Sequence, residues 1–123
     1  MKITDQVHLL KIDFEIAISP EKKLPRFVNV IIVFGDKITL VDSGVKGSEK
    51  KIRQYIEEQG RSFTEIESLI LSHSHPDHIG SAATIKELTS CKILAHEAEK
   101  EWIENIDIQN QQRPVPSFFS LVD

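Results

Sequence analysis

Residues 73 to 78 read His73-Ser74-His75-Pro76-Asp77-His78, three imidazoles and a carboxylate within six positions. Their nitrogen and oxygen donors suit zinc or a similar borderline transition metal. In extended chain, side chains two apart project to the same side, so His73 and His75 can converge on one ion. Pro76 then fixes a turn, and Asp77 and His78 fall at the start of a helix, where the change in backbone direction aims them at a neighbouring point. Two adjacent metal positions are thus sterically conceivable. A metal there would bring the pKa of a coordinated water toward neutrality and polarise a carbonyl or phosphoryl oxygen, which makes hydrolysis the natural reaction class. Asp77 could both bind metal and orient the attacking water. Asp42, at the end of an apolar run, is a candidate for accepting an imidazole N–H behind the ligands. A solvated polar turn is the competing reading of the cluster, and the preceding apolar strand and following helix argue against it.

The elements that must carry these side chains can be read from periodicity. Val7 to Ile12, Phe27 to Phe34 and Ile38 to Val41 are rich in β-branched residues, with Gly35-Asp36 separating the last two as a hairpin turn. Ser19 to Pro25, with two prolines and several charges, reads as an exposed loop. Beyond Asp42-Ser43-Gly44 the spacing of Ile52, Tyr55 and Ile56 is helical within Ser48 to Gln59, and Gly60 stops it. Ser62 with Glu65, or Thr64 with Glu67, can cap a short turn. Leu69-Ile70-Leu71 then reads as a buried strand leading into the cluster. A second helix is expected from His78 to Leu88, a strand at Lys92 to Ala95, and a third helix carrying Ala98, Trp102 and Ile106 on one face. This order gives an α/β fold, a mixed sheet with helices on one face.

Composition bounds the rest. A chain of 123 residues, 40% hydrophobic, fits one compact domain. We expect a domain over residues 1–108, with 109–123 as a connector and an apolar end formed by Phe118, Phe119, Leu121 and Val122 that needs burial. A net charge of -4 gives no broad reason to bind nucleic acid or an anionic membrane. No secretory segment or membrane-spanning run is evident, so the expected location is cytoplasmic. The one cysteine, Cys91, reads as a small buried hydrophobe. His8 and His96, each isolated in or beside a strand, read as structural or solvated.

The cluster His73, His75, Asp77, His78 resembles the His-x-His-x-Asp-His motif of the metallo-β-lactamase superfamily. Leu40-Val41-Asp42-Ser43-Gly44 is similar to that family's strand-ending Asp-Ser/Thr-Gly element, and Ile70-Leu71-Ser72 before the motif and Ile79-Gly80 after it also fit. The resemblance implies the N-terminal half of an αβ/βα sandwich with one or two zinc ions, iron or manganese in some branches. His73 and His75 would serve the first metal, Asp77 and His78 the second, and Asp42 would support them. It further implies a small-molecule hydrolase acting on an ester, thioester, lactone or phosphodiester. Arg113-Pro114-Val115-Pro116 is similar to the segment leading into the second half of such enzymes. That half normally brings a further His, a bridging Asp and a last His, for which this sequence offers no match. A homo-oligomer, or a partner chain supplying the missing half, is therefore expected. The alternative is a non-catalytic metal-binding or self-associating domain with a remnant half-site, and an iron redox role is a weaker third.

Overall fold

The computed structural model describes residues 1–72, 75–112 and 121–122, and for residues 100, 101, 108 and 110 the backbone alone. Five strands, β1 (Val7–Ala17), β2 (Lys23–Phe34), β3 (Ile38–Val41), β4 (Ile66–Leu71) and β5 (Lys92–Ala95), lie side by side in chain order. β1, β2 and β3 are antiparallel neighbours, whereas β3, β4 and β5 run parallel. Parallel neighbours need crossovers. Helix α1 (Glu49–Glu58) supplies the first, and the pair α2 (Pro76–Ile79) and α3 (Ala82–Thr89) supplies the second. Two further helices, α4 (Lys100–Glu104) and α5 (Ile106–Gln112), follow β5. The expected α/β class and the mixed sheet are both present.

Alternation along the strands sorts the sheet into two unlike faces. Ile12, Val28, Val30, Ile32, Ile38, Leu40, Leu69 and Leu71 point to one side and are buried with Ile52 and Ile56 of α1 and Ile85 of α3 in a single core. On the other side Phe27, Ile70 and Leu94 remain exposed. The helices thus cover one face, as expected.

Local signals acted as anticipated in α1, where Gly60 at φ +77° ends the helix with its N–H bonded to the Glu57 carbonyl. Ser62 and Glu65 form a reciprocal capping box around a 3-10 turn at Phe63–Glu65.

Four expectations are corrected. The loop expected up to Pro25 is shorter, because β2 starts at Lys23 and Pro25 stands opposite Glu15. β3 pairs only from Ile31 onward, so this end of β2 has a free edge where a missing N–H costs nothing. The β1–β2 hairpin therefore projects past the sheet as a two-stranded ribbon. The helix expected from His78 to Leu88 is two helices broken at Gly80 and Ser81. A Cβ on Gly80 would collide with the Leu121 carbonyl and the Val45 backbone, so the break is where two other segments press against the chain. The third helix is also divided: Ala98 lies exposed in a 3-10 turn, and Asn105 separates α4 from α5.

α5 extends through Gln112, so the residues from 109 begin in a helix, with Gln109 buried, and not in an irregular connector. Of the apolar end, Leu121 and Val122 bury against this domain. Phe118, Phe119 and the Arg113 to Pro116 segment lie outside the described residues.

Candidate metal centre

The site forms where β3 and β4 end side by side. Asp42 follows β3 with φ +67°, a left-handed conformation that short polar side chains tolerate at some cost. The reversal is held by the Asp42 N–H bonding the Ile70 carbonyl at 2.7 Å. It turns the carboxylate toward the end of β4, where Oδ1 accepts the Ser72 N–H at 2.8 Å and Oδ2 accepts the Ser72 hydroxyl at 2.7 Å. Oδ2 also meets Nδ1 of His78 at 2.9 Å. Asp42 is thus a buried carboxylate with three donors, as buried charge requires.

The loop after Asp42 is stitched to the two short helices. The Ser43 N–H and hydroxyl both donate to the His78 carbonyl, at 2.7 and 2.8 Å. The Gly80 N–H donates to the Gly44 carbonyl at 2.8 Å, and the buried Ser81 hydroxyl donates to the Ser43 carbonyl. These bonds hold the end of α2 and the start of α3 against the loop, and so fix where the α2 side chains project.

His75 precedes a proline and is accordingly extended, at φ -60° and ψ 145°. Pro76 occupies the first turn of α2, where its missing N–H has no partner to lose. The His75 carbonyl accepts the His78 and Ile79 N–H groups. One turn of helix then sets Asp77 beside His78, with Oδ2 3.7 Å from Nε2. His73 lies outside the described residues, and among the described residues no group of three His, Cys, Asp or Glu side chains is clustered for a metal.

Charge is distributed in a way that prepares His78. Burial raises the Asp42 pKa, but the hydrogen bonds from His78 and from the Ser72 side chain and backbone outweigh it and hold the carboxyl below its ordinary value. Burial likewise works to lower the His78 pKa, yet the Asp42 hydrogen bond and the charges of Asp77 and Asp42 raise it overall. A carboxylate accepts only, so the neutral imidazole keeps its proton on Nδ1 and presents the Nε2 lone pair on the side of Asp77. That donor set, a nitrogen and a carboxylate oxygen converging with the imidazole anchored from behind, fits a divalent metal.

The structure brings Asp42, Asp77 and His78 into one network and places His75 in the same cleft, a space of about 270 Å³ between α2 and the projecting ribbon. His8 and His96 stand apart from it. His8 is buried against Tyr55 and Phe34, and exposed His96 accepts the Ala98 N–H. Sequence reading placed Ser43 and Ser72 in family-like elements without giving them a role, and did not single out Ser81. It also missed the ribbon residues Phe14, Ile16 and Arg26, which line the cleft and whose signal was alternation continued past Ile12 in β1 and back past Val28 in β2.

A family model described as the metallo-beta-lactamase superfamily matches residues 24–120, and the chain belongs to that superfamily. It is similar to the probable metallo-hydrolase YqgX of Bacillus subtilis (strain 168), 31% identical over 77 residues covering 63% of this chain and 34% of that protein. Among solved structures it matches the metallo-beta-lactamase family protein TTHA1429 of Thermus thermophilus with TM-score 0.61 and 24% identity, over 80% of this chain and 31% of the other, a likeness of fold. It also matches the class B3 di-zinc metallo-beta-lactamase LRA-12 from an Alaskan soil metagenome with TM-score 0.57 and 25% identity, over 60% of this chain and 28% of that one. The chain thus spans about a third of the length of each of these proteins. Among the described residues no helix is long and apolar enough to cross a membrane.

Proposed function

We propose that this chain carries half of the metal centre of a metal-dependent hydrolase acting on a small-molecule ester, thioester, lactone or phosphodiester. The carrying observation is the line from Asp42 through His78 to Asp77, an imidazole fixed by a buried carboxylate and paired with a second one at 3.7 Å. Asp77 and His78 would hold one ion, and His75 with His73 the other. Zinc suits the donors best, with iron or manganese as further candidates. When bound, the metal supplies Lewis acidity and an activated water at neutral pH. Asp42 keeps His78 in the tautomer that offers Nε2, and Asp77 accepts a hydrogen bond from the attacking water and so fixes its direction. The bonds from Ser43 to the His78 carbonyl and from Ser81 to the Ser43 carbonyl tie the end of α2 to the loop after Asp42 and keep these groups in place.

Two protein donors per ion fall short of the three usual for catalytic zinc, and the sheet face bearing Phe27, Ile70 and Leu94 is open. Both support completion of the site by further polypeptide, a second copy or a partner chain. Because no three donors cluster among the described residues, the specific alternative is a metal-binding or self-associating domain without turnover. Native mass spectrometry of protein purified without chelator, followed by a panel of ester, thioester, lactone and phosphodiester substrates, separates the two readings. We expect one or two zinc ions per chain, an assembly larger than the monomer, and turnover abolished in both His75→Ala and Asp77→Ala. Bound metal with no turnover on any substrate selects the alternative, and a metal-free monomer overturns both.

A further inference from the structure

Every second residue of β2 faces the core, and the row Phe34, Ile32, Val30 and Val28 is buried and apolar. The next position in that row is Arg26, opposite Phe14 in the ribbon. By this point the sheet has ended, and what lies beneath the row is not core but the cleft that Arg26 lines together with Phe14, Ile16, His75, Asp77 and His78. The neighbouring ribbon cations behave differently. Lys11 and Lys23 lie in the opposite row and pair with Asp13 at 3.6 Å and Glu15 at 4.0 Å. Among the described residues Arg26 has no carboxylate partner, and its guanidinium makes one long contact, 3.4 Å, to the carbonyl of the adjacent Pro25.

We propose that Arg26 determines the specificity of this cleft by binding an oxyanion, carboxylate or phosphate, on a substrate whose apolar part lies against Phe14 and Ile16. The proposal rests on the reading of the cleft as the hydrolytic site. A guanidinium presents a planar fork of N–H donors that matches either oxyanion with two parallel bonds. The cleft offers three features such a ligand needs: a cation, an apolar wall, and the His75, Asp77 and His78 donors where a scissile group would sit. The ribbon sets the spacing, because Arg26 and Phe14 are cross-strand partners and Ile16 follows Phe14 on the same face.

The test titrates phenylacetate, phenyl phosphate and the neutral isostere phenylacetamide into metal-free protein, followed by NMR, in the natural sequence and in Arg26→Gln and Arg26→Lys. Metal-free protein removes direct anion–metal bonding from the readout, so the result stands whether or not hydrolysis is ever detected. At least one anion should bind about tenfold more tightly than the amide, a preference lost in Arg26→Gln and partly kept in Arg26→Lys. The anion that shows this effect names the group, carboxylate or phosphate. Equal binding of anions and amide, no detectable anion binding, or a preference unchanged in Arg26→Gln each overturns the proposal. Thermal melts of both variants should match the natural sequence, since Arg26 is exposed. Once a substrate is in hand, Arg26→Gln should raise KM for its anionic form and leave its neutral ester unaffected, whereas loss of turnover in Asp77→Ala reports on the metal centre alone.

Discussion

Among the described residues, His8 and His78 each meet an oxygen at Nδ1, and their surroundings differ. His8 in β1 meets the Tyr55 hydroxyl at 2.6 Å, and its ring packs edge-on against Phe34 with centroids 4.7 Å apart. Its Nε2 approaches the carbonyl of Asp5 at 3.4 Å, so both polar ends are turned toward the protein's own groups. His78 meets a carboxylate in place of a phenol, and its Nε2 lies next to a second carboxylate at the cleft. The partner decides the outcome. A neutral hydroxyl satisfies an imidazole, whereas a buried carboxylate makes it a stronger base and raises its affinity for a proton or a metal on the far nitrogen. A ligand is therefore distinguished from a core histidine by what stands behind it, which neither residue type nor burial reveals alone.

Removing what stands behind His78 should produce the largest effect. Asp42→Ala strips Ser72 and His78 of their acceptor in a buried setting and should cost about 3–5 kcal/mol of stability as well as weakening zinc binding. Asp42→Asn separates those consequences, because asparagine keeps the size and tolerates the left-handed backbone at φ +67° but no longer carries charge. Its zinc affinity should fall by about 10–100-fold with a much smaller loss of stability, read by calorimetric zinc titration beside a denaturant melt. Unchanged zinc affinity in Asp42→Asn would break the comparison, since Asp42 would then be structural in the same sense as Tyr55.

The converse variant should be milder. Tyr55→Phe leaves His8 without its hydroxyl partner and should cost about 1–2 kcal/mol in a denaturant melt, with zinc affinity equal to that of the natural sequence. A shift in zinc affinity there would show that the surroundings of His8 and His78 communicate.

The motif and the element order were legible in the sequence because they are local. The six residues from His73 to His78 show their donors at a glance, the strands alternate, Gly60 ends its helix, and Ser62 and Glu65 cap their turn as spaced. The hydrogen bond between Asp42 and His78 spans 36 residues of chain, a separation over which no local pattern reports a contact. What stayed hidden has tertiary causes. The break at Gly80 reflects the backbones of Val45 and Leu121 pressing against it, and nothing in the helical pattern around it shows them. Arg26 falls between the expected loop, which ends at Pro25, and the expected strand, which begins at Phe27, yet the free edge of β2 tolerates Pro25 and the strand starts at Lys23. Ser43 and Ser81 act through backbone carbonyls, which leave no trace in sequence.

A third carboxylate sharpens the comparison at its weakest end. Glu65 accepts the Ser62 N–H at 2.7 Å and the Arg61 Nε–H at 3.0 Å, a set of donors much like that of Asp42, but it is partly open to solvent. The side-chain bond from Arg61 and the backbone bond from Ser62 hold its pKa below 4.5. A carboxyl depressed in the folded state contributes stability above its unfolded pKa and loses it as the pH falls through the folded value. Glu65→Gln should therefore lower stability slightly at pH 6, and the difference from the natural sequence should shrink below pH 4.5 as Glu65 itself takes up a proton. Salt should reduce the same difference, because solvent screens an exposed pair. Asp42, with like donors and no solvent, should keep its effect in salt. Paired melts of Glu65→Gln and Asp42→Asn at low and high ionic strength measure this directly, and an equal salt response in the two would show that donor count, not burial, governs what each carboxylate contributes.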